Sequence, residues 1–151
     1  MPNDVIIYVN EPRKMGDGIS GFIVYTVKTE TTRASWNGKT FEVTRRFSDF
    51  LGLYEKLAGK YQHKGYYILP APEKSIMSFT KGKYSKYYVM KLNCSVKMAG
   101  AGEDDQFVLR RQHSLQRWLR TILKHHALTK DPDIQTFLTQ DHIPPATRYV
   151  F

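Results

Sequence analysis

The chain is 151 residues long, 41% hydrophobic and 25% charged, proportions that suit one folded domain and exclude a disordered polyelectrolyte or a collagen-like repeat. It carries 23 Lys+Arg against 14 Asp+Glu, a formal net charge of +9, which points to an anionic partner such as phosphate, nucleic acid or a membrane surface. No apolar run is long enough to cross a bilayer, Met1-Pro2-Asn3-Asp4 opens no secretory leader, and the lone Cys94 can form neither an internal disulfide nor a cysteine zinc anchor, so a cytoplasmic protein held by its core alone is expected.

The first elements read as strands. Val5-Ile6-Ile7-Tyr8-Val9 is a short apolar run that Asn10-Glu11-Pro12 should close, and Gly16-Asp17-Gly18 supplies the next turn. From Gly21 to Thr32 β-branched and aromatic residues dominate, with polar residues alternating in the second half. Trp36-Asn37-Gly38-Lys39 holds the Asn-Gly pair of a tight hairpin, and Thr40 to Arg45 alternates on the return. Three antiparallel strands are therefore expected over residues 4–46. The period then changes: Leu51, Tyr54, Leu57, Ala58 and Tyr61 recur at helical spacing, so a helix from Ser48 to Gln62 is expected, with Ser48 as N-cap and Asp49 facing the positive end of the dipole. Pro70-Ala71-Pro72 reads as an extended segment. Residues 75–105 show no clean period and read as a long basic loop. Phe107, Arg111, Leu115, Trp118, Leu119, Ile122 and Leu123 restore a helix, whose basic end His125 and His126 mark. Asp131 as N-cap and Pro132 at the first position announce a last short helix burying Ile134, Phe137 and Leu138. The expected fold is α+β, a three-stranded antiparallel sheet packed against a helical subdomain, with residues 1–144 as one domain and 145–151 as a loose tail.

The charge is unevenly spread. Between Lys60 and Gly100 eight lysines meet one acid, Glu73, so seven of the nine net positive charges lie there with six of the ten tyrosines. Basic side chains mixed with Tyr61, Tyr66, Tyr67, Tyr84, Tyr87 and Tyr88 suit either a groove over phosphates or a surface where rings rest at headgroup level; a solvated lysine-rich loop is the plain alternative.

Catalytic signatures are missing. There is no Gly-rich loop ending in Lys-Ser/Thr, Gly16-Asp17-Gly18 lacks the third glycine of a dinucleotide fingerprint, and no Gly-x-Ser-x-Gly elbow occurs. His125 and His126 are adjacent and so point to different sides of a helix, which is poor metal-ligand spacing. Cys94 has no recognisable partner. A binding module without cofactor or metal is expected rather than an enzyme.

Arg45-Arg46-Phe47-Ser48-Asp49-Phe50 falls where strand hands over to helix, so its side chains meet the backbone N–H groups that open the helix, a good place for a phosphate. With Pro70-Ala71-Pro72-Glu73-Lys74-Ser75 and Arg110-Arg111-Gln112-His113-Ser114-Leu115-Gln116-Arg117-Trp118-Leu119, the chain resembles a phox homology (PX) domain, in particular that of the sorting nexins that carry a membrane-bending BAR domain. The similarity runs from about Gly16 to Pro144, and the run from Arg45 to Leu57 is its most specific part. The resemblance implies a phosphoinositide site. Arg46 matches the arginine that grips the 3-phosphate, Phe47 the aromatic under the inositol ring, and Ser48 the hydroxyl beside that phosphate. Lys74 matches the lysine meeting the 1-phosphate, and Arg111 the arginine on the far ring hydroxyls. Each has a plainer reading: Arg45 and Arg110 as surface charges, Phe47 as a core aromatic, Lys74 as one loop lysine among many. In the family the loop after the prolines enters the bilayer, which makes Ile76, Met77 and Phe79 the insertion candidates and Lys81, Lys83 and Lys86 supporting charges.

The chain departs from the family in three places. The Pro-x-x-Pro pattern is reduced to Leu69-Pro70-Ala71-Pro72, residues 84–102 look like an insertion, and Phe151 leaves no room for a BAR domain, so membrane recognition without membrane bending is expected. The resemblance thus implies a recruitment module for phosphatidylinositol 3-phosphate, with the 3,5-bisphosphate as second candidate, on the cytosolic face of early endosomes. Sorting nexin or retromer-type proteins would be its partners in protein transport. Two alternatives stand beside it: a basic domain binding single-stranded nucleic acid, which no recognised motif supports, and a PX fold used mainly for protein contacts.

Overall fold

The computed structural model describes residues 4–16, 21–37, 39–72 and 103–143. Strands β1 (Val5–Met15), β2 (Phe22–Thr31) and β3 (Thr40–Arg46) form one antiparallel sheet in the order β1-β2-β3. Four helices follow, α1 (Phe47–Tyr61), α2 (Glu103–Ile122), α3 (His126–Thr129) and α4 (Pro132–Thr139), with single 3-10 turns at Ala34–Trp36 and Gln62–Lys64. The α+β expectation is met.

Alternation along the strands decides which side of the sheet is covered. Val9, Val27 and Val43 stand opposite one another in one row and are buried, with Ile7 and Tyr25 on the same face. Helical spacing brings Phe50, Leu53 and Leu57 of α1 and Leu115, Trp118, Leu119 and Ile122 of α2 into the same core. Phe50 lies edge-on between Trp118 and Phe137, at 6.4 and 5.1 Å between ring centres, so three helices meet on one phenyl ring.

Tertiary contacts revise several boundaries. Asn10-Glu11-Pro12 does not end β1. The register slips between Asn10 and Arg13, Glu11 takes a positive φ of 49°, and the strand resumes to Met15. Such a bulge accommodates the missing N–H of Pro12 and turns Arg13 and Met15 onto the face opposite the core. Asn37 does adopt the left-handed conformation, φ 54°, but it closes the 3-10 turn rather than a two-residue hairpin, because burial of Trp36 draws the connection down onto the core. Ser48 is not the N-cap of α1. Helix α1 begins one residue earlier, with Arg46 at that position, and the Asp49 carboxylate accepts from the Arg46 N–H at 2.8 Å. Helix α2 reaches back to Glu103, taking in three acidic residues assigned to the loop, as the positive end of a helix dipole favours. It ends at Ile122, so His125 is the N-cap of α3 and His126 its first residue.

Side chains of α2 complete the frame. Gln116 Oε1 accepts from the Val9 N–H at 2.9 Å and Arg120 Nε donates to the Ile7 carbonyl at 2.8 Å, pairing backbone groups on the outer edge of β1. Trp118 Nε1 donates to the Leu69 carbonyl at 2.8 Å, which pins the segment with neither helix nor strand that follows α1 and buries Ile68 and Ala71. Asp131 caps α4 as expected, accepting from Asp133 N at 2.8 Å and Ile134 N at 3.3 Å.

Candidate anion-binding site

The β3–α1 junction separates two consecutive arginines. Alternation points Arg45 inward, where it is only 1% exposed, so its reading as a surface charge is overturned. Its guanidinium donates to the carbonyls of Phe137 (2.9 Å), Thr44 (2.9 Å), Asp141 (3.3 Å) and Gln140, and lies over the Phe137 ring. It therefore caps the C-terminal end of α4 from inside the sheet. Burial pulls its pKa below the ordinary arginine value, with Asp49 and Asp141 opposing that pull.

Arg46 points the other way and is exposed. Its guanidinium sits 4.6 Å from the centre of the Phe22 ring, and its backbone N–H is taken by Asp49, so the side chain is what it offers to an anion. Ser48, also exposed, follows in the first turn of α1. Phe47, between them, is 8% exposed and belongs to the core; one face of its ring carries the Arg111 guanidinium at 4.1 Å. Phe47 is thus a core aromatic, and its ring also meets the Arg111 guanidinium.

Arg111 is also held by its neighbours. Phe107 lies on it at 4.2 Å as Phe47 does at 4.1 Å, so the guanidinium is stacked between two rings. The buried Tyr25 hydroxyl faces it from β2. Burial pushes the Tyr25 phenol above its ordinary pKa and the Arg111 charge pulls it back; burial likewise lowers Arg111 while Tyr25 supports its charge. Tyr25, Phe107 and Phe22 were not legible as site residues. Each sits at a position that strand or helix periodicity explains by packing alone, and only the fold brings it against Arg46 or Arg111.

The bulge in β1 adds to this end of the sheet. Arg13, Val24 and Arg46 form one cross-strand row, and Met15 stands opposite Phe22 in the neighbouring row of the same face. Met15 and Phe22 are 49% and 39% exposed, so two apolar side chains flank the cationic row. Arg110, read as a surface charge, is half-buried and bonds to Gln106 at 3.2 Å. Lys74, Ile76, Met77, Phe79, Lys81, Lys83 and Lys86 lie outside the described residues, as do the insertion at 84–102 and the tail 145–151. No group of three or more potential metal ligands occurs among the described residues, and no described helix is long and apolar enough to cross a membrane.

A family model described as PX domain matches residues 34–141. Sorting nexin-2 of Homo sapiens is 41% identical over 143 residues, covering 95% of this chain and 25% of that protein. Sorting nexin-1 of Bos taurus is 36% identical over 146 residues with the same shares, so the chain spans about a quarter of the length of these curated relatives. Among solved structures, a designed CISK-PX domain aligns with a TM-score of 0.60 at 24% identity, covering 87% of this chain and 96% of that one, a likeness of fold.

Proposed function

The chain belongs to the PX domain family, and from that premise we propose that it is a non-enzymatic membrane-recruitment module that binds 3-phosphorylated phosphoinositides. Phosphatidylinositol 3-phosphate is the first candidate and the 3,5-bisphosphate the second. The observation that carries the reading is the pair of arginines at one end of the sheet: Arg46 exposed at the opening of α1, and Arg111 stacked on Phe47, the next residue in the chain.

In this reading Arg46 takes the 3-phosphate through its guanidinium fork, assisted by the Ser48 hydroxyl and the positive end of α1. Arg111 donates to the ring hydroxyls away from that phosphate. Because it is held between two rings and against Tyr25, little side-chain entropy is lost on binding. Phe47 supports Arg111 and floors the site, and Lys74 takes the 1-phosphate near the bilayer. Headgroup contact alone rarely anchors a protein, so the apolar pair Met15 and Phe22 joins Ile76, Met77 and Phe79 at the interface, with Lys81, Lys83 and Lys86 adding charge attraction of about 1 kcal/mol each near an anionic leaflet. The relatives' names, sorting nexin-2 and sorting nexin-1, support a sorting role, and the proposed setting is the cytosolic face of early endosomes, with sorting nexin or retromer-type proteins as partners.

Liposome co-sedimentation tests the site. Vesicles with phosphatidylinositol 3-phosphate should pellet the protein in preference to vesicles with the 4- or 5-phosphate isomer at equal total charge, and Arg46→Ala should abolish that preference. Equal pelleting with all three isomers would leave only nonspecific charge attraction and overturn the assignment.

A further inference from the structure

Helix α2 presents a second basic feature that the headgroup site does not use. Arg110, His113, Arg117, Arg120 and Lys124 recur at intervals of three and four residues, Lys124 in the turn that closes the helix. They therefore fall in one stripe on the side opposite the buried Leu115, Trp118, Leu119 and Ile122. At 1.5 Å per residue, Arg110 to Arg120 spans about 15 Å. His113, Arg117, Arg120 and Lys124 are exposed, and no acidic residue occurs from Gln106 to Lys130.

Four cations elsewhere on the molecule are paired with acids. Lys28 pairs with Glu30, Arg33 with Asp4, and Lys56 and Lys60 with Asp133, whereas none of the described ion pairs includes a member of the stripe. Like charges three and four residues apart on a helix repel, so this face carries a cost that an anionic partner would relieve. Two members are already oriented: Arg120 by the Ile7 carbonyl and the Tyr8 ring, Arg110 by Gln106.

The direction of the stripe selects the partner. Helices α1 and α2 run the same way from the headgroup end: Arg111 meets Phe47, Trp118 meets Phe50, and His125, just past α2, meets Tyr66, just past α1. A bilayer resting on Arg46 and Arg111 would therefore meet the Arg110 end alone. Arg117 and Arg120 lie about 9 and 14 Å beyond Arg111 along the axis, at or beyond a Debye length in physiological salt. Nor does the stripe offer much stacking surface for bases, since the Tyr8 ring beside Arg120 is half-buried.

We propose that this face of α2 is a docking surface for an acidic helical segment of a partner protein, whose carboxylates recur at the same three-and-four spacing and pair with the arginine forks. The orientation argument rests on the headgroup reading above. A suitable probe is an alanine-based helical peptide with five glutamates at that spacing, compared with a peptide of identical composition and scrambled glutamate positions. The patterned peptide should bind at least about tenfold more tightly, and Arg117→Glu with Lys124→Glu should remove that advantage while leaving the preference among phosphoinositide isomers unchanged. Both side chains are exposed, so the double variant should fold.

Equal binding of the two peptides, or undiminished binding by the double variant, would overturn the proposal. So would loss of the isomer preference in the double variant, which would place the stripe at the headgroup site, or tighter stripe-dependent binding of a single-stranded oligonucleotide. If the parent protein shows no preference among phosphoinositide isomers, the headgroup reading fails on its own, and the peptide comparison still decides the docking surface.

Discussion

Arg45 and Arg46 carry the same side chain on consecutive residues, and a strand period of two gives them opposite work: Arg45 satisfies four carbonyls inside the molecule, while Arg46 keeps its fork in solvent. Removing Arg45 should unfold the α4 end, and removing Arg46 should leave the fold alone. Tyr25 sits between those cases, since its ring belongs to the core and its hydroxyl faces Arg111. Tyr25→Phe keeps the ring and deletes the hydroxyl that supports the Arg111 charge, so the preference for the 3-phosphate isomer should fall severalfold. The residual charge-driven pelleting should not change. Isomer-resolved co-sedimentation together with a melting curve checks both halves; an unaltered isomer preference would remove Tyr25 from the site.

At the scale of elements, α1 and α4 are clamped by Asp131. Its carboxylate accepts from the Tyr61 hydroxyl at 2.7 Å and pairs with Lys60 at 3.2 Å while capping α4, and Lys60 also reaches Asp133. Burial alone would raise the Asp131 pKa, but the bonds from Tyr61, Lys60 and the Ile134 N–H hold it below the ordinary carboxylate value. Burial and the Asp131 charge push Tyr61 up to about 12. A carboxylate lowered on folding stabilises the protein above its unfolded pKa, and that stability is lost as pH falls through the folded value. Asp131→Asn retains a capping side chain and loses the charge, so it should cost about 1 kcal/mol near neutrality. The difference from the parent should shrink progressively below about pH 4. Urea titrations across that range measure it, and a constant difference would show that the charge is not what holds the clamp.

At the scale of the whole molecule, a net charge of +9 acts on any anionic surface, whereas in the proposed reading the arginine pair selects one headgroup. The two contributions separate by salt. Raising the ionic strength from about 0.1 M to about 1 M shortens the Debye length from about 10 to about 3 Å. Total pelleting with anionic vesicles should therefore drop steeply, while the ratio between the 3- and 4-phosphate isomers should hold. A ratio that collapsed along with total binding would assign the discrimination to diffuse charge.

What the sequence by itself determined is the local and periodic part: three strands over residues 4–46, the helical faces of α1 and α2, the Asp131-Pro132 cap, and the Arg45-to-Leu57 run that carries the family resemblance. Each depends on residues within a few positions of one another, where propensity, spacing and turn chemistry act directly. The tertiary structure alone decided the rest. It split Arg45 from Arg46 by seating one against the end of α4, pulled Trp36 inward and so displaced the Asn-Gly hairpin, and turned Arg13 and Met15 toward Arg46 through a bulge at Glu11. It also set Tyr25 and Phe107 around Arg111. Those outcomes depend on contacts between residues tens of positions apart, whose burial outweighs local preference and leaves no periodic trace in the chain.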